Sequence, residues 1–158
     1  PDQGVLFLTY ALLVSGGKGG RGKQRESRLR QVLSWLRVDS TRGSGLLVFD
    51  EAHRAKNLRD PDNRNGTGTR TGLCVDRLQK LCLDCGVLYA SATSATEAQH
   101  LVYMSRLGLW GPGHHSFTSF KALQRHLERG GLAAAEALAV RLRSLGAMSC
   151  RSLCFQGA

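Results

Sequence analysis

The sequence is poor in aromatic and acidic residues and has no long hydrophobic run. Aromatic side chains make up 6% of its 158 residues, which argues against a stacking platform for single-stranded bases. No run approaches the roughly 18 apolar residues of a membrane span, so we expect no membrane partner. Residues 1–10 lack the charged segment and cleavage site of a signal peptide. Because Pro1 is not an initiator Met, we expect a piece of a longer protein.

The shortage of acidic residues leaves a strong positive charge. The sequence has 12 Asp and Glu residues and 22 Lys and Arg residues, which gives a formal net charge of +10. Such a charge suits an anionic partner such as nucleic acid. Because arginine is scattered and forms no single block, the charge is equally typical of an Arg-rich, solvated surface. Composition leaves both interpretations open.

The five cysteines predict reduced thiols. An odd count without a signal peptide favours the cytosol or nucleus. Cys82 and Cys85 have zinc-knuckle spacing, and Cys150 and Cys154 offer two more ligands. The four are poorly spaced, and Leu or Phe lies beside most of them. We therefore expect core cysteines rather than a zinc site.

Apolar runs predict the strands. Those at 5–10, 46–49 and 86–90, with a weaker one at 152–155, are short and do not alternate with polar residues. Such runs are typical of strands covered on both faces, as in a parallel sheet.

Helical periodicity lies between and after these runs. Helices are predicted at 24–38, 97–107, 117–129 and 132–145. A further helix is predicted to be capped by Thr71 and to continue through Cys82. A basic loop is expected at 15–25, a flexible Gly-rich loop at 58–72 and a C-terminal helical part at 117–149. Strands alternating with helices predict a single α/β domain, a mostly parallel sheet flanked by helices.

Asp50 and Glu51 directly follow the run at 46–49, and Ala52 and His53 come next. Cleavage of a phosphoanhydride needs a carboxylate to hold Mg²⁺ and a group that activates or orients water. In open α/β sheets, ligands bind outside the carboxyl ends of the strands. By itself, the acidic pair is more typical of solvated residues in a strand-to-loop turn than of a catalytic site.

A second motif changes that balance. About 40 residues later, the run at 86–90 ends in Ser91-Ala92-Thr93. Two strands of one sheet would bring the acidic pair and these hydroxyls to the same edge. The order and placement resemble motif II (DEAH) and motif III (SAT) of superfamily 2 helicases.

The resemblance narrows to the strawberry notch family and covers nearly the whole chain. The stretches that carry it are residues 4–10, 28–35, 48–57, 69–73, 89–93 and 103–111. The last is the most family-specific. The resemblance implies a partial RecA-like P-loop NTPase lobe that couples ATP hydrolysis to nucleic-acid or chromatin remodelling in transcriptional regulation.

The resemblance also implies residue roles. Asp50 would bind Mg²⁺ through water, and Glu51 would orient or deprotonate the attacking water. His53 would link the nucleotide site to motif III or to the second RecA-like lobe. Ser91 and Thr93, with Ala92 between them, would couple hydrolysis to movement on nucleic acid.

Implied partners are nucleic acid (DNA or chromatin rather than RNA), the second RecA-like lobe of the same chain and transcriptional regulators. The implied location is the nucleus, with the cytosol as an alternative. Basic residues of the 15–25 loop are candidate phosphate contacts, or else simply solvated: Lys18, Arg21, Lys23 and Arg25.

A phosphate-binding P-loop, G-x-x-x-x-G-K-[ST], is missing. Around Lys18, Gly19 stands where Ser or Thr is needed, and Leu12 stands where the first Gly is needed. We therefore expect the middle and end of a first RecA-like lobe without its Walker A strand and loop. ATP and Mg²⁺ would then be cofactors of the intact parent, and this chain alone would be inactive.

Two alternatives remain from the sequence. A Swi/Snf-type remodelling translocase shares the run at 50–57 but usually has a different motif III. A degenerate ATPase lobe acting as a non-catalytic scaffold would explain the missing P-loop, although Asp50 and Glu51 are intact.

Overall fold

The computed structural model describes residues 4–16, 27–36, 45–55, 68–91, 101–111 and 116–150. Its regular elements are α1 (Tyr10–Leu13), α2 (Arg28–Trp35), β1 (Leu46–Phe49), α3 (Arg70–Leu81), β2 (Gly86–Tyr89) and α4 (Phe120–Ser144). Short 3₁₀ helices lie at Ala52–Ala55 and Ser105–Leu107.

The two described strands pair in parallel, with Leu46 opposite Gly86 and Phe49 opposite Tyr89. This confirms the strands predicted at 46–49 and 86–90 and their direction. Leu47 and Phe49 are buried on the core face. On the other face Val48 is 55% exposed, so the expected cover on both faces is not found within the described residues.

The strand predicted at 5–10 is wrong. The described part of that run, residues 4–9, has no regular structure, and α1 begins at Tyr10. Thr9 caps α1 because its hydroxyl accepts a hydrogen bond from the Leu12 N–H at 3.1 Å. Val5 and Phe7 are 79% and 88% exposed, since they pair with no strand among the described residues.

Side-chain caps set where the longer helices begin. Ser27, Thr69 and Ser119 each accept a hydrogen bond from the backbone N–H three residues later. The cap of α3 is therefore Thr69 rather than Thr71. The loop predicted at 58–72 is wrong over its last three residues, which are helical, and its residues 58–67 lie outside the described part.

The predicted break in the C-terminal helical part is confirmed. The backbone of Gly131 leaves helical geometry at φ 54° and ψ −140°, a conformation that favours glycine. The two predicted helices thus lie on either side of a kink in α4. The first begins at Phe120 rather than at residue 117.

The α-helix predicted at 97–107 is not found in the described residues 101–107. There the backbone bonds three residues back, from Met104 to Leu101 and from Leu107 to Met104, which is the 3₁₀ pattern. The segment is also held by α3. The buried Gln79 amide donates to the Tyr103 carbonyl at 2.9 Å. Residues 97–100 lie outside the described part, as do those of the weak strand at 152–155.

The buried side chains form two clusters. One joins α1, α2, α3 and the sheet, and the other joins the 101–109 segment to α4. Met104 packs against both clusters. The segment between β2 and α4 therefore connects the two parts of the core.

The cysteines largely follow the prediction. Cys82 and Cys85 are buried in the first cluster, and burial raises the pKa of the Cys82 thiol to about 11. Cys150 is exposed, contrary to the core assignment. No three metal-ligating side chains come together among the described residues. Nor is any helix in this part of the chain both long and apolar enough to cross a membrane.

Candidate active site

The candidate site lies at the carboxyl ends of the two parallel strands. Backbone pairing continues past them, since the Ala90 N–H donates to the Phe49 carbonyl and the Ala52 N–H to the Ala90 carbonyl, both at 2.9 Å. These bonds hold the segment after β1 beside the segment after β2. Asp50 and Ser91 therefore share one edge of the sheet, as the sequence predicts.

The backbone of Glu51 has an unusual conformation. Its φ is +48°, the left-handed region that non-glycine residues seldom adopt. Such a conformation costs on the order of 1–3 kcal/mol and persists only where the surroundings enforce it. Here the Glu51 N–H donates to the Asp50 Oδ1 at 2.9 Å. The completely buried Ala52 anchors the next turn in the core.

His53 connects the two strand ends. Its Nδ1 lies 3.2 Å from the Ser91 Oγ and 3.2 Å from the Glu51 Oε2. An ionised carboxylate only accepts hydrogen bonds, so His53 can donate towards Glu51 in the form that carries the proton on Nδ1. The imidazole then orients the Glu51 carboxylate and ties it to the segment after β2.

The structure thus brings together four of the predicted site residues: Asp50, Glu51, His53 and Ser91. Their chemical roles stay predictions. The other predicted site residues lie outside the described part of the chain. These are Ala92, Thr93, Lys18, Arg21, Lys23 and Arg25.

Sequence reasoning missed Tyr10 as a site residue. Its hydroxyl donates to the backbone carbonyl of Asp50 at 2.8 Å. Burial, and then the negative charge of Asp50, raise the pKa of this hydroxyl above its usual value. Arg54 opposes this increase, and Glu51 adds to it more weakly. The hydroxyl is therefore a hydrogen-bond donor at neutral pH. Assigning Tyr10 to a strand hid this contact between residues 40 positions apart.

Arg106 was also missed as a structural residue. Its guanidinium donates to four carbonyls at the end of α3 and in the turn before β2, at 2.9–3.2 Å. The buried Gln79 accepts a hydrogen bond from the Tyr89 hydroxyl. Residues of the run at 103–111 therefore support β2, the strand that precedes Ser91.

The acidic pair has ligand chemistry that suits magnesium. Asp50 and Glu51 present exposed carboxylates. Mg²⁺ usually keeps several waters and takes one or two carboxylates together with substrate phosphates.

Comparison with known proteins identifies the family. The family described as "P-loop containing NTP hydrolase pore-1" matches residues 1–158. The chain belongs to this family. Its membership confirms the predicted fold class, an α/β P-loop NTPase domain, to which the parallel strands and flanking helices conform.

Individual relatives confirm the resemblance to strawberry notch proteins. The chain is 41% identical to "Protein strawberry notch" of Drosophila melanogaster over 155 residues, covering 98% of the chain and 9% of that protein. It is 39% identical to human "Protein strawberry notch homolog 1" over 155 residues, which cover 98% of this chain and 11% of the human protein. It is 39% identical to "Protein FORGETTER 1" of Arabidopsis thaliana over 156 residues, which cover 99% of this chain and 11% of that protein.

The chain spans about a tenth of the length of these curated relatives. No solved structure matches it.

Proposed function

We propose that this chain is part of the ATPase core of a strawberry notch-type, DEAH-box helicase-like protein of superfamily 2. The observation that carries the proposal is the Glu51 carboxylate at the carboxyl edge of two parallel strands, oriented by His53. Hydrolysis of a phosphoanhydride depends mainly on positioning and electrostatics. A carboxylate held in this way is suited to orient a water molecule.

Each residue then has a distinct task. Asp50 holds Mg²⁺ through water, and the ion, when bound with nucleotide, offsets the negative charge of the phosphates. Glu51 orients the attacking water or accepts its proton. His53 keeps the Glu51 carboxylate in place and, with Ser91, connects it to the segment after β2.

ATP hydrolysis in the parent would drive remodelling of nucleic acid, with DNA or chromatin favoured over RNA. The net charge of +10 and the family membership support an anionic partner. Lys18, Arg21, Lys23 and Arg25 are the proposed phosphate contacts. The second RecA-like lobe and transcriptional regulators are the proposed protein partners, and the nucleus is the proposed location.

Magnesium dependence tests the nucleotide site. In the parent protein, Asp50→Asn should raise the Mg²⁺ concentration for half-maximal ATP turnover by about 10- to 100-fold, the usual cost of weakening a metal site. The matched control is Asp84→Asn. Asp84 is exposed and precedes β2, so it lies at the opposite end of the strand and should have no effect.

An unchanged Mg²⁺ requirement in Asp50→Asn would contradict the assignment of Asp50. A purified parent protein that binds its partners but hydrolyses no ATP, with or without DNA, would contradict the enzymatic proposal. It would favour the non-catalytic scaffold.

A further inference from the structure

We propose that Tyr10 is a positioning residue for ATP hydrolysis, with its hydroxyl fixing the peptide group between Asp50 and Glu51. The inference rests on the proposed function, because it assigns Tyr10 a task through the carboxylate of Glu51. Nothing in the motif that contains Asp50 and Glu51 points to this residue, which lies 40 positions earlier in the chain.

The peptide group between Asp50 and Glu51 is held on both sides. Its carbonyl oxygen accepts the Tyr10 hydroxyl at 2.8 Å, and its N–H donates to the Asp50 Oδ1 at 2.9 Å. Rotation of the peptide plane would break both bonds at once. The plane therefore has one favoured orientation, and the chain enters Glu51 from a fixed direction.

This restraint matters because Glu51 has a strained backbone. At φ +48°, the residue would relax towards negative φ if the preceding peptide could turn. Such a turn would swing the Glu51 side chain away from its present place beside His53. The Tyr10 hydroxyl opposes the turn from outside the segment, whereas the bond to Asp50 Oδ1 lies within it.

Tyr10 is itself firmly placed. It is the first residue of α1, whose Leu13 is buried in the first core cluster. The Arg70 guanidinium donates to the Val14 carbonyl at 2.7 Å and so ties the end of α1 to the start of α3. The hydroxyl is thus delivered to Asp50 from an anchored turn.

Two restraints of different kind then act on Glu51. Tyr10 fixes the peptide that leads into the residue, and His53 fixes the carboxylate at its end. Removing the hydroxyl should loosen the carboxylate without abolishing its function. It should leave nucleotide binding unchanged, because Tyr10 acts through the Glu51 backbone.

The test uses the full-length parent protein and Tyr10→Phe. The expected result is a kcat for ATP about 2- to 12-fold lower, the factor that corresponds to one lost hydrogen bond, with KM unchanged. The control is Tyr103→Phe, which removes the hydroxyl of a tyrosine in the buried cluster against which Tyr10 packs and should leave kcat unchanged. Turnover is expressed per bound fluorescent ATP analogue, so a loss of folded protein cannot imitate the effect.

The outcomes separate this inference from the function on which it rests. If the wild-type parent hydrolyses ATP and Glu51→Gln abolishes turnover, but Tyr10→Phe keeps the wild-type kcat, Tyr10 has no positioning role. A rise in KM at constant kcat, or an equal loss in Tyr103→Phe, overturns the inference as well. If the wild-type parent hydrolyses no ATP, the proposed function itself fails and the inference fails with it.

Discussion

Single residues at the sheet edge show what sequence patterns can and cannot predict. Asp50, Glu51, His53 and Ser91 follow predicted strands directly, so their meeting at one edge follows from strand direction. The hydroxyl of Tyr10 and the amide of Gln79 were not predictable in this way. Their hydrogen bonds join residues 40 and 24 positions apart and exist only once the chain has folded.

Substitution of Ser91 should weaken the coupling between ATP hydrolysis and DNA remodelling without weakening hydrolysis itself. Ser91→Ala removes the hydroxyl beside the His53 Nδ1 but leaves the Glu51 carboxylate in place. ATP turnover of the parent should therefore be mostly retained, while DNA remodelling per ATP hydrolysed falls. Combining it with Thr93→Ala should deepen the second effect only.

The measurement compares ATP turnover with strand displacement or translocation on DNA in one preparation. Ser34→Ala, at an exposed position of α2, is the control and should change neither quantity. If Ser91→Ala with Thr93→Ala lost ATP turnover completely while remaining folded, the hydroxyls would belong to the chemical step.

At the scale of elements, helices were predicted best where a polar cap or a glycine marks an end. The break at Gly130–Gly131 was visible in the sequence because few residues other than glycine tolerate the Gly131 backbone. The helix predicted over 97–107 failed over its described part. Its apolar spacing reflects burial against α3 and α4, which a 3₁₀ turn and irregular backbone satisfy equally well.

Arg106 should be the residue that keeps this irregular segment in place. Arg106→Ala leaves four carbonyls without their charged donor, and we expect the free energy of unfolding to fall by about 2–4 kcal/mol. Arg106→Lys should recover only part of it, because an ammonium group lacks the forked geometry of guanidinium.

Urea denaturation of the purified protein measures this effect. Arg77→Ala, at an exposed position of α3, is the control and should change the free energy of unfolding by less than about 0.5 kcal/mol. Equal effects of Arg106→Ala and Arg77→Ala would show that the guanidinium does not support the fold.

For the whole molecule, the sequence predicted the fold class and the parallel pair of strands but overestimated the sheet. An apolar run specifies burial, whereas a strand also needs a neighbour for its backbone hydrogen bonds. Residues 46–49 and 86–89 are neighbours of each other. Residues 4–9 have no such neighbour within the described part of the chain. Their apolar run was therefore not enough to predict a strand at 5–10.

The chain as a separate polypeptide should not hydrolyse ATP above background. Its sequence contains no G-x-x-x-x-G-K-[ST] loop to position the phosphates, and the carboxylates alone provide little catalysis without that positioning. Phosphate release, followed with malachite green on the purified 158-residue chain, measures this. Turnover that disappears in Glu51→Gln would reveal a phosphate-binding element other than a P-loop.

The proposed role of Glu51 is tested by measuring ATP turnover and ATP binding of the parent protein carrying Glu51→Gln. The substitution keeps the size and hydrogen bonding of the side chain but removes the charge that acts on water. If Glu51 acts on the attacking water, turnover falls on the order of 10²- to 10⁴-fold, while the Kd for ATP stays nearly unchanged. Wild-type turnover in Glu51→Gln would contradict this role of Glu51.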